Sequence, residues 1–276
     1  MVDIGELVAS ACDAFVGKTA SSKSVNELIS QSHASKARLL HYVSVRAHRK
    51  LSGPIASATI RGSSDATPLT PVTRAQFPRE GEPFSLPPAD SVPDEPYKPE
   101  DVDDSWCGTH IDHSLLTVLC PSMYLFHPSP SSDSSSTAPL DPLVIPAPAR
   151  STGLFIKTRG GQVVQATIPE DCVALQTGET LELLTSRRLA ATPHFVNSTA
   201  STLGRRALAA IEAQKAADPE RWGRVESGTV SRETLAVFLQ PNHDEVVAES
   251  GETFGQFTER VYKRHYALDQ PEMEEP

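Results

Sequence analysis

The chain is poor in cysteine and has no paired cysteine motif, no long apolar run and no concentrated basic face. Cys12, Cys107, Cys120 and Cys172 are its four cysteines and none form a C-x-x-C pair, while the first residues lack a basic-then-apolar signal pattern. Both absences point to a reducing, cytoplasmic setting. The longest apolar stretch, around 115–126, is interrupted by Thr117, Pro121 and Ser122 and is too short to span a bilayer, so a soluble protein with no membrane partner is expected. A net charge of -10 argues against a nucleic-acid partner, because binding a phosphate backbone needs clustered cations to release counterions. Internal repeats are also lacking.

What is present is 276 residues, enough for one ordinary domain or two small ones, with 38% hydrophobic residues diluted by 23 prolines and serine-rich stretches. The folded part is therefore expected to be smaller than the chain. Acid concentrated at 94–104 and at Glu272, Glu274 and Glu275 reads as solvated segments.

The first 35 residues predict two short helices: Ile4, Leu7, Val8, Ala11 and Phe15 fall at helical spacing, and Ser24-Val25-Asn26-Glu27 matches a capping box. A strand is expected over 39–45. Residues 52–104, rich in Pro, Ser, Gly and Asp, read as a long loop. From Trp106 onward, strand-like runs appear at 115–126, 153–158, 162–168, 172–176, 181–185, 192–197 and 229–239. Gly160-Gly161 suggests a two-residue hairpin with positive φ at both positions, and Gly178 marks a second turn. Residues 127–150 are a Pro- and Ser-rich insertion, and 201–217 has helical composition before Asp218-Pro219. Many short strands with intervening turns predict a mainly β sandwich or jelly roll with helices packed outside. The divisions are 1–45 (N-terminal helices and first strand), 46–105 (loop insertion), 106–241 (core, with insertions at 127–150 and 197–228) and 242–276 (C-terminal extension).

The tripeptide His110-Ile111-Asp112 is the chemical signal. With 9 His and 15 Asp in the chain, chance alone supplies about half an occurrence of His-x-Asp, so its weight rests on context. Side chains two apart on an extended strand point to one side, so His110 and Asp112 can meet one metal ion. His194, 82 residues beyond Asp112 in another strand-like run, supplies a second imidazole. Two imidazoles and one carboxylate suit Fe(II) and leave positions open for oxygen and a chelating co-substrate. His33, His41, His48, His113, His127, His243 and His265 receive no functional role, and His113 would face away from Asp112 on a strand. Trp106 and Trp222 read as packing residues, and Arg187-Arg188 is too short for a nucleic-acid patch.

The ordered runs His110-Ile-Asp-His-Ser-Leu-Leu-Thr-Val-Leu119, Gly153-Leu-Phe-Ile, Gly161-Gln-Val-Val, Ala174-Leu-Gln-Thr-Gly-Glu179, Leu189-Ala-Ala-Thr-Pro-His-Phe-Val196 and Arg232-Glu-Thr-Leu-Ala-Val-Phe-Leu-Gln-Pro241 resemble the isopenicillin N synthase-like group of iron(II)/2-oxoglutarate-dependent oxygenases. The resemblance covers roughly 106–241. It implies a double-stranded β-helix, a form of jelly roll, with His110, Asp112 and His194 as iron ligands. It further implies that Arg232 and Thr234, matching an Arg-x-Ser pattern with threonine in place of serine, bind the distal carboxylate of 2-oxoglutarate, for which a planar guanidinium is well shaped. Tyr42 resembles a tyrosine of the same co-substrate pocket.

The implied activity is oxidation of a C–H bond of a small-molecule substrate by O2, most often hydroxylation, with release of succinate and CO2 and with ascorbate as a reductant. Two alternatives stand beside it. One is a non-catalytic jelly-roll metal-binding or interaction module that engages partners through its Pro/Ser insertions, and the other is an iron oxidase that does not use 2-oxoglutarate. Two departures from the family pattern are evident. His194 and Arg232 lie 38 residues apart where the family has a short turn, so Arg205 and Arg206 compete for the carboxylate; Arg232 is preferred because 230–238 can alternate as a strand. Gln176-Thr-Gly-Glu179 replaces the usual Asn-x-Gly-Asp, lengthening both the amide and the acid.

Overall fold

A computed structural model describes residues 1–43, 84–85, 106–129, 140–197 and 203–266. The expected 52–104 loop, apart from 84–85, and both acidic clusters lie outside the described residues, as do parts of the two later insertions.

The two N-terminal helices form, α1 (Val2–Val16) and α2 (Val25–Ser30), but α1 buries Gly5, Ala9 and Val16 and leaves Ile4, Leu7, Ala11 and Phe15 of the spacing set exposed. The capping box is complete: the Ser24 side chain accepts from Glu27 N while Glu27 accepts from Ser24 N. Asp13 of α1 accepts from the amides of Val25 and Asn26 at 2.7 and 3.0 Å, so the first helix also satisfies donors that the second leaves unpaired.

The strands are β1 (Lys36–Val43), β2 (Phe84–Ser85), β3 (Cys107–His110), β4 (Leu116–Leu119), β5 (Met123–Pro128), β6 (Leu143–Ile145), β7 (Gly153–Lys157), β8 (Val163–Gln165), β9 (Ala174–Thr177), β10 (His194–Asn197) and β11 (Ser227–Leu239). They make two antiparallel sheets. The larger has the path β6-β5-β11-β4-β9 with β1 and β2 also on β11, and the smaller runs β3-β10-β7-β8. This is the jelly-roll core that the sequence predicts. β11 is its spine, pairing with β1 (Tyr42 opposite Arg232), β4 (Leu119 opposite Ala236) and β5 (Tyr124 opposite Arg232).

Four local expectations are corrected. The single strand over 115–126 is two strands, because Cys120-Pro121-Ser122 sets three residues against the two residues Leu235 and Thr234 of β11. Pro121 has no amide to give the ladder, and the resulting bulge is tied by Cys120 N donating to Leu235 O and Thr234 Oγ1 donating to Cys120 O, each 2.9 Å. The run 181–185 is not a strand but part of helix α3 (Glu179–Leu184), whose Leu181 and Leu184 fall three apart on one face and are fully buried. The Gly160-Gly161 turn has three loop residues rather than two: Thr158 N donates to Gln162 O, Gly161 N donates to Thr158 O, and of the two glycines only Gly161 has positive φ, 80°. Finally, the helices are not all outside.

That last point determines how the core is built. The cores lie on opposite faces of the larger sheet. On the outer face, α1, α2 and α3 bury Ala9, Val25, Leu28, Ile29, Leu181 and Leu184 against Leu116, Val118 and Leu239. On the inner face, α4 (Arg205–Ala217) and α5 (Pro219–Trp222) pack Leu208, Ile211 and Trp222 against Tyr124, Phe126 and Val230. The excursion between His194 and Arg232 thus supplies apolar surface to the same face of β11 that carries Arg232. A third cluster joins Val247 to Phe254, Phe257 and Val261 of α6 (Phe254–Tyr266). Among the described residues no helix is long and apolar enough to cross a membrane.

Candidate active site

Two strands of the smaller sheet and the segment following one of them bring the metal-type donors together. β10 pairs with β3 so that His194 sits opposite His110, with an irregularity before the next pair, Val196 opposite Cys107. The two imidazole centroids are 4.2 Å apart. Asp112 is not on β3, which ends at His110, but two residues past it, just before the bend at 113–115. One ligand atom from each of His110, Asp112 and His194 lies within 4.8 Å of the others, a group able to hold a metal ion.

The orientation of each side chain has a physical cause. His110 Nδ1 lies 2.7 Å from Gly108 O and His194 Nδ1 lies 3.0 Å from Thr192 O. With hydrogen on Nδ1, each imidazole donates to a backbone carbonyl and keeps its lone pair on Nε2, which in His194 lies 3.2 Å from Gln176 Nε2. Both Nε2 atoms then face Asp112 Oδ1, each at 3.8 Å. The other carboxylate oxygen, Oδ2, accepts from Thr117 Oγ1 at 2.6 Å and from Gln176 Nε2 at 3.0 Å. Gln176 Nε2 also lies 2.7 Å from His194 Nδ1.

The backbone here is drawn tight as well. Glu179 N donates to Asp112 O and Gly178 N to Leu115 O, at 2.7 and 3.0 Å. A Cβ on Gly178 would collide with the carbonyl of Ser114, so the glycine is needed for this close approach. His113, expected to face away from Asp112, lies outside β3 and packs on Phe257 and Glu179.

Protonation differs between the two histidines. Burial opposes charge on His110, but contacts with the Cys107 sulfur and the Gly108 carbonyl outweigh it and raise its pKa to about 9. His194 is pushed below the ordinary imidazole range by burial and then by the nearby His110.

The second feature is a buried cation. Arg232 is 4% exposed, and its Nε has no hydrogen-bond partner. Among the described residues no carboxylate forms an ion pair with it. Tyr42 offers its ring face, 5.5 Å from the guanidinium carbon, and Tyr124, directly opposite on β5, lies within reach of the guanidinium. Burial raises the pKa of both tyrosines, while Arg232 opposes the rise. Tyr42 also lies within hydrogen-bonding reach of Cys107 and in the field of Asp112, so it links Arg232 to the histidine-aspartate cluster. Thr234, two residues along on the same face, is buried and donates to Cys120 O. Arg205, the competitor, is exposed at the start of α4 and so is poorly placed to hold a carboxylate in a closed pocket.

The sequence singled out His110, Asp112, His194, Arg232, Thr234 and Tyr42, and the structure brings the first three together and places Tyr42 between them and Arg232. Thr117 and Tyr124 were not singled out. Gln176 stood out only as a departure from a motif. Thr117 and Tyr124 are polar residues inside apolar strands, and buried polar groups without an obvious partner in sequence are the signal that marks them.

No family model and no curated protein matches the chain. Solved structures similar to it include an oxygenase-described protein from Shewanella oneidensis at 15% identity, covering 90% of this chain and 54% of that one with a TM-score of 0.41. A 2OG-Fe(II) oxygenase family protein from Caulobacter crescentus is 20% identical over 61% of this chain and 44% of its own, with a TM-score of 0.31. A Neurospora crassa protein solved with alpha-KG and thymine is 18% identical over 58% and 37%, with a TM-score of 0.33. The chain thus spans about half or less of the length of these proteins. In the order of its motifs, its two antiparallel sheets and its cluster of two histidines and one aspartate, the chain is similar to the iron(II)/2-oxoglutarate-dependent oxygenases.

Proposed function

We propose that the chain is an Fe(II)- and 2-oxoglutarate-dependent oxygenase that oxidises, most often by hydroxylation, a C–H bond of a small molecule and releases succinate and CO2. The residues fit the metal: two imidazoles whose Nε2 atoms face Asp112 Oδ1, together with that carboxylate oxygen, are the donor set that Fe(II) accepts, and they leave positions for other ligands. His110, Asp112 and His194 would hold the ion, which when bound would activate O2, the oxidant, with two electrons coming from 2-oxoglutarate and two from the substrate C–H bond. Arg232 holds the distal carboxylate of 2-oxoglutarate, with Thr234 and Tyr42 completing that pocket. Tyr42 stays protonated, so it donates rather than repels. Residues 106–241, with β1 supplying Tyr42, form the working unit.

The observation that carries this reading is the buried guanidinium of Arg232, which meets no carboxylate among the described residues and is linked through Tyr42 to the metal-type cluster. A buried cation without a counter-ion is costly, and an incoming carboxylate removes that cost. The test is to supply Fe(II), 2-oxoglutarate and ascorbate to the purified protein and follow both the visible charge-transfer band of a chelated 2-oxo acid and the release of succinate. The band is expected in the native chain and absent from His194→Ala. Tight iron binding that survives alanine at both His110 and His194 overturns the ligand assignment. Iron binding with no response to 2-oxoglutarate selects the oxidase alternative.

A further inference from the structure

We propose that Gln176, acting with Thr117, is a positioning residue that restricts Asp112 to binding the metal through a single oxygen, which keeps a coordination position open for the co-substrate. The inference rests on the metal-site reading above. Gln176 is buried on β9 directly opposite Thr117 on β4, and the two side chains donate to the same atom, Asp112 Oδ2. An ionised carboxylate oxygen has two lone pairs. With Thr117 at 2.6 Å and Gln176 at 3.0 Å, those of Oδ2 are both engaged, and only Oδ1 faces the histidines.

The consequence concerns the number of free positions. A carboxylate bound through one oxygen, with two imidazoles, fills three positions of an octahedral ion and leaves three. A chelating 2-oxo acid takes two of these and oxygen the third. If Oδ2 were released, Asp112 could rotate and bind through both oxygens, which would hold the metal as tightly or more so but occupy a position the 2-oxo acid needs. Gln176 suits the task by length: an asparagine, one C–C bond or about 1.5 Å shorter, would leave Oδ2 out of reach.

Mn(II) serves as the probe, because the relaxation of water protons reports how many waters it carries. The full chain and its Gln176→Leu, Thr117→Val and double variants would be titrated with Mn(II), and the relaxivity of each bound form measured before and after 2-oxoglutarate. The double variant is expected to bind Mn(II) as tightly as the native chain or more so. Its relaxivity should be about one third lower, and its 2-oxoglutarate affinity at least tenfold weaker. A merely structural role would weaken metal and co-substrate binding together. Unchanged relaxivity and unchanged 2-oxoglutarate affinity in a folded double variant overturn the proposal. If that variant does not fold, Gln176→Asn, which keeps the amide, carries the test with the same expected directions. Failure of the native chain to bind Mn(II), or binding unaffected by His194→Ala, overturns the metal-site reading itself.

Discussion

Replacing Arg232 with methionine should make the metal-free protein more stable and the co-substrate site worse. The guanidinium is buried, its Nε has no partner, and among the described residues no carboxylate offsets its charge. Replacing a buried charge with an apolar side chain of similar volume commonly stabilises by about 1–4 kcal/mol. Against this stand the cation–π contact with Tyr42, worth roughly 0.5–2 kcal/mol, and the proximity of the guanidinium to Tyr124, whose hydroxyl would lose that neighbour. The net expectation is a gain of about 1 kcal/mol, or roughly 2–4 °C in thermal midpoint for a chain of this size. The same change removes the counter-charge for a carboxylate, a loss of about 2–4 kcal/mol, or roughly 30-fold to several-hundred-fold in affinity. Thermal unfolding by circular dichroism reads the first effect. Calorimetric titration of the Mn(II)-loaded protein reads the second, with 2-oxobutyrate as comparator because it keeps the 2-oxo acid and lacks the distal carboxylate. Affinity for 2-oxobutyrate should not change. Equal weakening of both acids, or unchanged 2-oxoglutarate affinity in the variant, refutes the role given to Arg232.

Metal affinity should rise with pH. His110, with a pKa of about 9, must give up a proton to bind, whereas His194 is already neutral, so the apparent affinity should climb roughly tenfold per pH unit from 6.5 towards 9 with release of about one proton, measurable by calorimetry in buffers of different ionisation heat. In the metal-free protein the sign for stability is opposite: the raised His110 pKa contributes stability that is full below the unfolded imidazole value of about 6.5 and is lost as pH rises through about 9, which urea unfolding at pH 6 and pH 9 would show. Gly178→Ala should cost about 1–3 kcal/mol in urea unfolding and weaken metal binding as well, because the Cβ displaces the Ser114 carbonyl beside Asp112. Trp222→Ala should destabilise by about 3–5 kcal/mol while leaving the metal donors in place, checked by Mn(II) titration of the folded fraction.

The parts of this structure legible in the sequence are those fixed by short-range rules or by a fixed residue set. The capping box at Ser24 and Glu27 and the helix over 205–217 needed only local chemistry. His110, Asp112 and His194 were legible by residue type, and they converge in the structure although 82 residues separate Asp112 from His194. The parts missed depend on distant partners. Leu181-Glu182-Leu183-Leu184 can suit a strand or a helix, and the decision came from Gly178 lying against Ser114, a contact between residues 64 apart in sequence. Thr117 inside Leu116–Leu119 looked like an ordinary β-branched strand residue until β4 was set beside Asp112. α4 and α5 read as an outer insertion because composition does not reveal which face of a sheet a helix will cover.

Register along β11 carries a consequence for the quality of folding. Neighbouring residues on that strand face opposite ways, so a slip by one position would turn Arg232 outward and bring Glu233, an anion, to the place of the cation. A chain misaligned in this way would repel the 2-oxo acid proposed to bind at Arg232. The bulge at Cys120-Pro121-Ser122, latched by Thr234, and the pairing of β11 on both edges act as a proofreading device. Errors of alignment are therefore expected to yield inert molecules rather than molecules of altered selectivity.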